Sequence, residues 1–474
     1  MIPLSLREVA AAVGGRLEGG AEPDAVVTGT STDSRSVSGG DLFVAVVGER
    51  HDAHDFAADA VAAGAVAVLA QRPVEVPCVV VDDTVAALGR LARHVVDLLP
   101  GVVVVGLTGS SGKTSTKDLL AQVLAHHGET LAPEGSLNTE VGLPMPALRL
   151  RPSTRVLVAE MGARGVGHIS YLCGVTPPRI GVVLNVGSAH VGEFGSREAI
   201  ALAKGELVEA LPHAGDGGVA VLNADDPLVR GMRSRTSARV VTFGETADAD
   251  VRAERVELDA EGRAAFDLVE DGRRSRVRLG LYGRHHVSNS LAVAAVALAL
   301  GLDLDEVADA LTHARAASRW RMEVVRTASG ATVVNDAYNA NPESVRAALE
   351  ALAAMTAPTP SREARPAVAV LGEMRELGDL TVPEHEEIGR TAVRLGVERL
   401  VVVGDSDAAE AVVAGARGEG EGRASVVRVA GVAEAVEHLA ATLGPDDVVL
   451  VKASRGVGLE RVVAGVLERL GVAS

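Results

Sequence analysis

A glycine-rich turn with a lysine and a threonine lies in the stretch GLTGSSGKTSTKDLL (Gly106–Leu120). An apolar run, Val102–Leu107, precedes it, and apolar residues recur at helical spacing after it. Strand, turn and helix N-terminus suit an anion, because backbone N–H groups converge there on phosphate oxygens. Lys113 would reach the outer phosphates, and the Thr114 hydroxyl would ligate Mg²⁺. The predicted nucleotide-binding loop comprises Gly109, Ser110, Ser111, Gly112, Lys113, Thr114 and Ser115.

The spacing of this loop departs from the common pattern G-x-x-x-x-G-K-[ST]. Leu107 stands where that pattern has its first glycine. An ordinary turn between a strand and a helix would also contain glycines. The run Gly112–Thr114 behind an apolar strand favours the nucleotide site over that alternative.

Two later strands end in a carboxylate and an imidazole. RVLVAE ends at Glu160, and IGVVLNVGSAH continues through Asn185 to His190. Ligands bind at the carboxyl ends of strands in open α/β sheets, so both groups are expected beside the phosphates. They would act there as Mg²⁺ ligands or phosphate partners. Alone, each would be an ordinary strand-end or loop residue.

Lysine is rare among the 46 basic residues of this chain. The lysines are Lys113, Lys117, Lys204 and Lys452. Each is therefore a candidate for a site that needs a primary amine, with chance retention as the alternative. A free Lys204 ammonium beside two metal ions would be repelled, so an unmodified Lys204 should lie on the surface of its helix. If Lys204 faces the site, it would act as a carbamate, an anionic metal ligand formed from the amine and CO₂.

The elements that position these residues read as three α/β domains. Residues 1–99 form a small domain, with strands in Asp41–Gly48 and Pro77–Asp83. Continuous β-branched runs predict a parallel sheet wound with helices in residues 100–318, extended by antiparallel strands in Val251–Leu281. Residues 319–474 form a last Rossmann-like α/β domain.

Composition excludes several classes of function. The net charge of -17 disfavours nucleic acids and anionic membranes as partners, and 2% aromatic residues leave few surfaces on which bases could stack. Two cysteines, Cys78 and Cys173, favour a reducing cytoplasm. The first residues, MIPLSLREVAAAVGG, predict no signal peptide. The apolar run Leu291–Leu300 is too short to span a bilayer and predicts a buried helix.

These residues resemble the ATP-dependent Mur ligases of peptidoglycan synthesis, over nearly the whole chain. The loop of that family, G-x-T-G-x-x-G-K-T, fits Gly106–Thr114. Glu160, His190 and Lys204 match its strand-end Glu, the His of N-V-x-x-x-H and its carbamylated Lys in A-K-x-E. The resemblance implies ATP and two Mg²⁺ ions, with metal ligands Thr114, Glu160, His190 and carbamylated Lys204.

Two more segments of the central part carry the resemblance. LNTEVGLP (Leu137–Pro144) is similar to an Asn-containing loop near the reaction centre, which assigns Asn138 to that centre. RHHVSNSLAVAA is similar to H-N-x-x-N-x-x-A-A, whose last Asn, here Asn289, contacts adenine. His286 replaces the first Asn of that segment.

The last third resembles the family members that add D-alanyl-D-alanine to UDP-N-acetylmuramoyl-tripeptide. NDAYNANPESVRAAL fits D-A-Y-N-A-N-P-x-S, in which Asp336 would hold the ribose of ATP. LGEMRELG and VKASRGVGLE match two further segments, and no D-N-P-R motif for a diamino acid occurs. The implied dipeptide region comprises Tyr338, Asn339, Asn341, Lys452, Ser454 and Arg455.

The start of the chain is similar to a uridine-nucleotide pocket, in STDSRSVSGGDLFVAVVGERHDAHDF. The implied contacts are Ser31, Asp33, Ser34 and Arg35. Arg321, in SRWRMEV, would contact a phosphate when the last domain closes over ATP. An ordinary interdomain ion pair is the alternative for Arg321.

The implied reaction is an amide ligation through an acyl phosphate, with the tripeptide nucleotide and D-alanyl-D-alanine as partners. We expect a cytoplasmic monomer without nucleic acid or membrane insertion. A folylpolyglutamate synthase-like ligase or a different Mur ligase would share the ATP site. A non-catalytic protein with a phosphate loop is a third alternative, although it gives no reason for Glu160, His190 and Lys204 to occur together.

Overall fold

The structure is a computed structural model that describes residues 1–48, 51–189, 191–360, 362–420 and 422–473. Its strands form three large sheets and one two-stranded sheet. The large sheets take their strands from residues 16–80, 103–282 and 323–452, and we call the parts around them the N-terminal, central and C-terminal units. The predicted α/β class is confirmed.

The N-terminal unit contains a five-stranded sheet. Its elements are β1 (Leu4–Ser5), α1 (Leu6–Val13), β2 (Arg16–Glu18), β3 (Val26–Val27), β4 (Gly29–Ser31), β5 (Asp41–Val44), α2 (Ala57–Ala62), β6 (Ala67–Ala70), β7 (Cys78–Val80) and α3 (Thr84–Asp97). The sheet order is β2-β7-β6-β5-β4, with only β2 antiparallel to its neighbour. Both strands predicted from the sequence are present as β5 and β7.

The central unit contains a nine-stranded sheet. Its elements are β8 (Val103–Thr108), α4 (Lys113–Leu124), β9 (Glu129–Leu131), α5 (Pro144–Ala147), β10 (Thr154–Glu160), α6 (His168–Val175), β11 (Ile180–Val183), α7 (Val191–Phe194), α8 (Arg197–Glu209), β12 (Val219–Asn223), α9 (Pro227–Gly231), β13 (Arg239–Gly244), β14 (Val251–Leu258), β15 (Arg263–Glu270), β16 (Arg273–Tyr282), α10 (His285–Ala299) and α11 (Leu304–His313). The order is β16-β15-β14-β13-β12-β11-β8-β10-β9. Strands β8 to β14 pair in parallel, and β15 and β16 add antiparallel pairs as predicted.

The C-terminal unit contains a six-stranded sheet. Its elements are β17 (Glu323–Arg326), β18 (Thr332–Asn335), α12 (Pro342–Thr356), β19 (Ala367–Leu371), α13 (Thr381–Arg394), β20 (Arg399–Val403), α14 (Asp407–Gly418), β21 (Ser425–Val429), α15 (Val432–Thr442), β22 (Val448–Lys452) and α16 (Glu460–Leu470). The order is β17-β18-β22-β19-β20-β21, with only β17 antiparallel.

Three neighbouring parallel strands of the central sheet bring polar residues to one edge. Strand β8 pairs with β10 on one side and β11 on the other. The register sets Glu160 opposite Leu107 and Val183 opposite Thr108. The loops that follow these strands therefore start at the same level, which is where ligands bind in sheets of this kind.

The apolar run predicted as a buried helix lies in α10, where residues 291–297 are fully buried. Its alanines let it pack closely on α4 and on the central sheet. No helix among the described residues is long and apolar enough to cross a membrane.

Close packing of α13 on α14 gives a stability test for the C-terminal unit. A methyl group at Gly415 would lie 1.9 Å from the Glu386 backbone oxygen, whereas one at Gly418 would meet nothing within 4 Å. We expect Gly415→Ala to lower the free energy of unfolding by about 1–3 kcal/mol, because backbone atoms cannot move aside cheaply. Gly418→Ala, the matched control in α14, should be neutral or slightly stabilising. Thermal denaturation followed by circular dichroism checks this, and equal melting temperatures would contradict it.

Candidate active site

A cleft of about 670 Å³ lies between the central and C-terminal units. The central unit lines it with the phosphate loop, the carboxyl ends of β10 and β11 and the start of α10. The C-terminal unit adds the loops that follow β18 and β22 and the start of α12. The cleft therefore depends on residues from both units.

The predicted phosphate loop joins β8 to α4 and lines this cleft. Asn185, which follows β11, fixes the loop because its Oδ1 accepts the Ser111 N–H at 2.9 Å and its Nδ2 donates to the Ser111 carbonyl at 3.2 Å. The Lys113 ammonium donates to the Gly109 carbonyl at 2.6 Å. Burial lowers the pKa of Lys113, opposed by the nearby Glu160 carboxylate. An anionic ligand would restore the preference for the charged amine.

Glu160 is the centre of a hydrogen-bond network at the end of β10, and its side chain is buried. Its Oε2 accepts the Thr114 hydroxyl at 3.1 Å. Its Oε1 accepts the Ser136 hydroxyl and the Asn138 amide, each at 2.8 Å. A carboxylate beside a hydroxyl offers the hard oxygen donors that Mg²⁺ prefers, so Thr114 and Glu160 fit the predicted metal site.

Lys204 lies on α8 with only 5% of its surface exposed, and it lines the cleft. The alternative that Lys204 lies unmodified on the surface of its helix is therefore wrong. Burial and, secondarily, the Lys113 ammonium hold the pKa of Lys204 well below its ordinary value. An uncharged primary amine is the form that reacts with CO₂, so this environment suits the carbamate that was predicted.

His190, predicted as a metal ligand, lies outside the described residues. Its sequence neighbour Ala189 lines the cleft. Ser188 is buried and contacts the C-terminal unit through Glu343 at 2.7 Å. The segment before position 190 thus reaches the same cleft.

Arg321 connects the C-terminal unit to the phosphate loop. Its Nη2 donates to the Thr114 hydroxyl at 2.8 Å, and its guanidinium carbon lies 4.2 Å from the centre of the Tyr338 ring. No carboxylate forms a salt bridge with Arg321 within the described part of the chain, so the interdomain ion pair is not observed. Its Nε is buried without a partner there, which leaves one donor for a ligand.

Asp336 and Lys452 form an ion pair at the ends of β18 and β22, in which Lys452 is buried and Asp336 is partly exposed. The Lys452 ammonium lies 2.6 Å from Asp336 Oδ2 and donates to the Asn339 carbonyl at 2.9 Å. The Met322 N–H donates to the other Asp336 oxygen at 3.1 Å. The resemblance assigned Lys452 to the dipeptide region, but its contacts join it to Asp336, the residue predicted to hold ribose.

The other residues of the predicted dipeptide region also line the cleft. Asn341 caps α12 and donates from Nδ2 to the Ser110 carbonyl of the phosphate loop at 3.2 Å. The Ser454 hydroxyl accepts the Arg375 N–H at 2.9 Å. Arg455 lies over Trp320, with 4.3 Å between the guanidinium carbon and the ring centre.

The residues implied in uridine binding lie in the N-terminal unit and not along this cleft. Ser31, at the end of β4, and Ser36 are 3.0 Å apart at their hydroxyls. Asp33 accepts two hydrogen bonds from the Arg35 side chain, at 2.7 and 2.9 Å. Ser34 begins the short helical turn that carries Arg35. These four residues are neighbours along the chain, and none of them lines the cleft.

Two histidines and Asn289 begin α10 at the wall of the cleft. The rings of His285 and His286 lie 4.3 Å apart at their centres. Burial lowers the pKa of His285 to about 4 and holds that of His286 well below its ordinary value. Both rings are therefore neutral near pH 7, and each offers one donor and one acceptor.

Several cleft residues were not found from the sequence. Ser136 stands immediately before the segment Leu137–Pro144, and its place next to that segment was its only signal. Glu343 is an acidic residue in the first turn of a helix, which is a common position for such residues, so its sequence context did not indicate a role in the cleft. Arg375 gave no signal beyond its place in LGEMRELG.

Comparison with protein families gives three matches along the chain. The description "Mur ligase family, catalytic domain" matches residues 26–95. "Mur ligase middle domain" matches 107–297, and "Mur ligase, glutamate ligase domain" matches 320–455.

Individual relatives match over almost the full length. The chain is 48% identical to UDP-N-acetylmuramoyl-tripeptide--D-alanyl-D-alanine ligase of Mycobacterium tuberculosis, covering 98% of this chain and 97% of that one. The Escherichia coli protein of that name is 35% identical, with 99% of both chains covered. A crystal structure of MurF from Acinetobacter baumannii is similar, with a TM-score of 0.87 at 34% identity over 98% of this chain and 99% of that one. MurF ligase from Thermotoga maritima in complex with ADP gives a TM-score of 0.80 at 31% identity, over 94% and 98%.

The neutral histidine at the cleft wall gives a pH test. Between about pH 4 and 6.5 the unfolded chain protonates His285 while the folded protein does not, so folding stability falls as pH falls through this window. The slope is at most about 1.4 kcal/mol per pH unit for this group. His285→Gln should flatten the fall of the melting temperature between pH 7.5 and 5, whereas His126→Gln, at an exposed histidine, should not. If the melting temperatures of wild type and His285→Gln fall in parallel as the pH is lowered, the lowered pKa of His285 is contradicted.

Proposed function

The chain belongs to the Mur ligase family, and we propose that it joins D-alanyl-D-alanine to UDP-N-acetylmuramoyl-tripeptide, using ATP. The products are the UDP-muramoyl-pentapeptide, ADP and phosphate. The choice of substrates is supported by relatives that carry this activity in their name and match the chain along its length. In the structure, the observation that carries the proposal is one cleft holding the phosphate loop, the Thr114–Glu160 pair and buried Lys204.

Amide formation from a carboxylate requires an activated acyl group. A carboxylate oxygen of the tripeptide attacks the γ-phosphorus of ATP, so that ADP leaves and an acyl phosphate forms. The amine of the dipeptide attacks the acyl carbon, loses a proton and expels phosphate. The first step brings two anions together, so catalysis depends on positioning and on positive charge near the phosphates.

The chain itself provides that positive charge from both sides of the cleft. The Lys113 ammonium donates a hydrogen bond to the Gly109 carbonyl of its own loop. It would turn to the phosphates when ATP binds. Arg321 already contacts the Thr114 hydroxyl and has a free Nε for a phosphate oxygen. Bound Mg²⁺ would neutralise further phosphate charge. The residues that would hold two Mg²⁺ ions are Thr114, Glu160, His190 and Lys204 as a carbamate.

The remaining predicted residues divide between the substrates. Asn289, Asp336 and the loop would hold ATP, with Lys452 fixing Asp336. Asn138 would keep Glu160 in place. The residues proposed for the incoming dipeptide are Tyr338, Asn339, Asn341, Ser454 and Arg455. The residues proposed for the uridine nucleotide are Ser31, Asp33, Ser34 and Arg35.

We propose one binding role for each part of the chain. Residues 1–99 bind the UDP substrate, residues 100–318 bind ATP, and residues 319–474 close over ATP and receive the dipeptide. Arg321 on Thr114 supports that closure. Both cysteines are free thiols, which supports the proposed cytoplasmic location. We also propose a monomer, which gel filtration with light scattering would test.

The proposed reaction predicts that ADP release depends on both the tripeptide nucleotide and the dipeptide. Purified protein with Mg²⁺ and ATP should release ADP when UDP-N-acetylmuramoyl-tripeptide and D-alanyl-D-alanine are both present. Omission of either should remove most of the signal, and mass spectrometry should find the pentapeptide. Reduced folate with glutamate serves as the control for the rival ligase. ADP release with folate, or none with the muramoyl substrates, would contradict the proposal.

The carbamate predicts a sharp effect of a conservative change. Lys204→Arg should lower kcat by more than about 100-fold, since even groups behind a metal ligand contribute about 10- to 100-fold. Added bicarbonate should not rescue it, because arginine cannot form the carbamate. Carbon-13 NMR with labelled bicarbonate should show a carbamate signal in wild type and lose it in the variant. Glu198→Gln, at an exposed position of α8, is the matched control. Normal turnover in Lys204→Arg would remove Lys204 from the mechanism.

A further inference from the structure

Glu343, in the first turn of α12, contacts the central unit across the cleft. Its Oε1 accepts the Ser188 N–H at 2.7 Å and the Ser188 hydroxyl at 2.9 Å. Two donors from one residue on one carboxylate oxygen fix both distance and direction, and hydrogen bonds to a charged acceptor are the stronger ones. Ser188 lies in the segment that follows β11.

Gly187 allows this contact because it has no side chain. A Cβ there would lie 2.7 to 2.9 Å from the carboxylate atoms of Glu343. The Gly187 N–H donates to the Ser110 hydroxyl at 2.9 Å, and Asn341 of the C-terminal unit donates to the Ser110 carbonyl. Glu343, Ser188 and Gly187, which we call the interdomain clamp, therefore connect directly to the phosphate loop.

The C-terminal unit contacts the same segment again a few residues later. The Gly192 N–H, in α7, donates to the Glu376 carbonyl at 3.2 Å. Ser188 and Gly192 are thus both hydrogen-bonded to the C-terminal unit.

The position of Glu343 at the start of α12 helps to stabilise its negative charge at this interface. Glu343 lies at the N-terminus of the 15-residue helix α12, whose dipole favours a negative charge. No cation forms a salt bridge with Glu343 among the residues the structure describes. The backbone and hydroxyl of Ser188 therefore compensate one carboxylate oxygen, Oε1, without an ion pair, whereas the buried Oε2 has no hydrogen-bond partner among the described residues.

We propose that Glu343 is a positioning residue that couples docking of the C-terminal unit to the geometry of Gly187 and Ser188 and of the phosphate loop that they contact. The clamp forms only when the two units are docked, so it orders Gly187 and Ser188, and with them the phosphate loop, at the moment the site is assembled. Its effect on turnover rests on the proposed function, whereas its effect on docking does not.

Three variants and one control separate a hydrogen-bond clamp from a role of charge. Glu343→Ala should lower kcat by about 10- to 100-fold, with the KM for the tripeptide nucleotide little changed, because two hydrogen bonds of the docked state are lost. Glu343→Gln should recover most of kcat, since an amide oxygen accepts both donors. Ser188→Ala should give a smaller loss, and Glu350→Ala, at an exposed position of α12, should match wild type.

A double variant tests the contact itself. Gly187→Ala should lower kcat like Glu343→Ala, since the methyl group would displace the carboxylate. The double variant Gly187→Ala with Glu343→Ala should be no slower than Glu343→Ala alone, because the obstructed partner is gone. Unchanged melting temperatures should show that all variants fold.

Docking is measured without turnover by small-angle scattering of each variant with ADP. Glu343→Ala should have a larger radius of gyration than wild type, and Glu343→Gln should not. If Glu343→Gln is as slow as Glu343→Ala, or if Glu343→Ala matches wild type in both measurements, the clamp is overturned. If wild type releases no ADP with its substrates, the proposed function fails, and scattering alone decides the clamp.

Discussion

The parallel pairing of β10, β8 and β11 is the constraint on which the rest of the site depends. Because these three strands end at the same level, the phosphate loop, Glu160 and Asn185 leave the sheet side by side. A shift of one residue in the pairing of β10 with β8 would turn the Glu160 side chain to the other face of the sheet. The buried β-branched side chains that fix this register are thus as necessary as the polar groups they position.

The C-terminal unit then completes what the central sheet begins. The central unit alone presents a loop, a carboxylate and a buried amine. Arg321, Asn341 and Glu343 reach it from the other unit, each through a polar contact rather than through apolar packing. Polar contacts exchange readily with water, so an interface of this kind can open and close in every catalytic cycle.

Many features of the site could be predicted from the sequence, and those that could not be predicted have a physical reason. The phosphate loop and the strand ending at Glu160 were predicted because a local pattern determines each of them. The burial of Lys204 could not be predicted, because α8 buries residues all around this lysine, from Ala203 to Val208, and shows no amphipathic pattern there. The pairing of Lys452 with Asp336 joins residues 116 positions apart, and no local pattern encodes it.

The scarcity of lysine has a consequence for the chemistry of the whole surface. Lys117, Lys204 and Lys452 are at most 5% exposed, and Lys113 faces the cleft from its loop. The exposed positive charges are thus guanidinium groups, which do not react with acylating reagents as amines do. Among the side chains, a reagent selective for amines would therefore react inside the cleft, with groups that the proposed reaction uses. Amine acylation would then report on access to the cleft rather than on the outer surface.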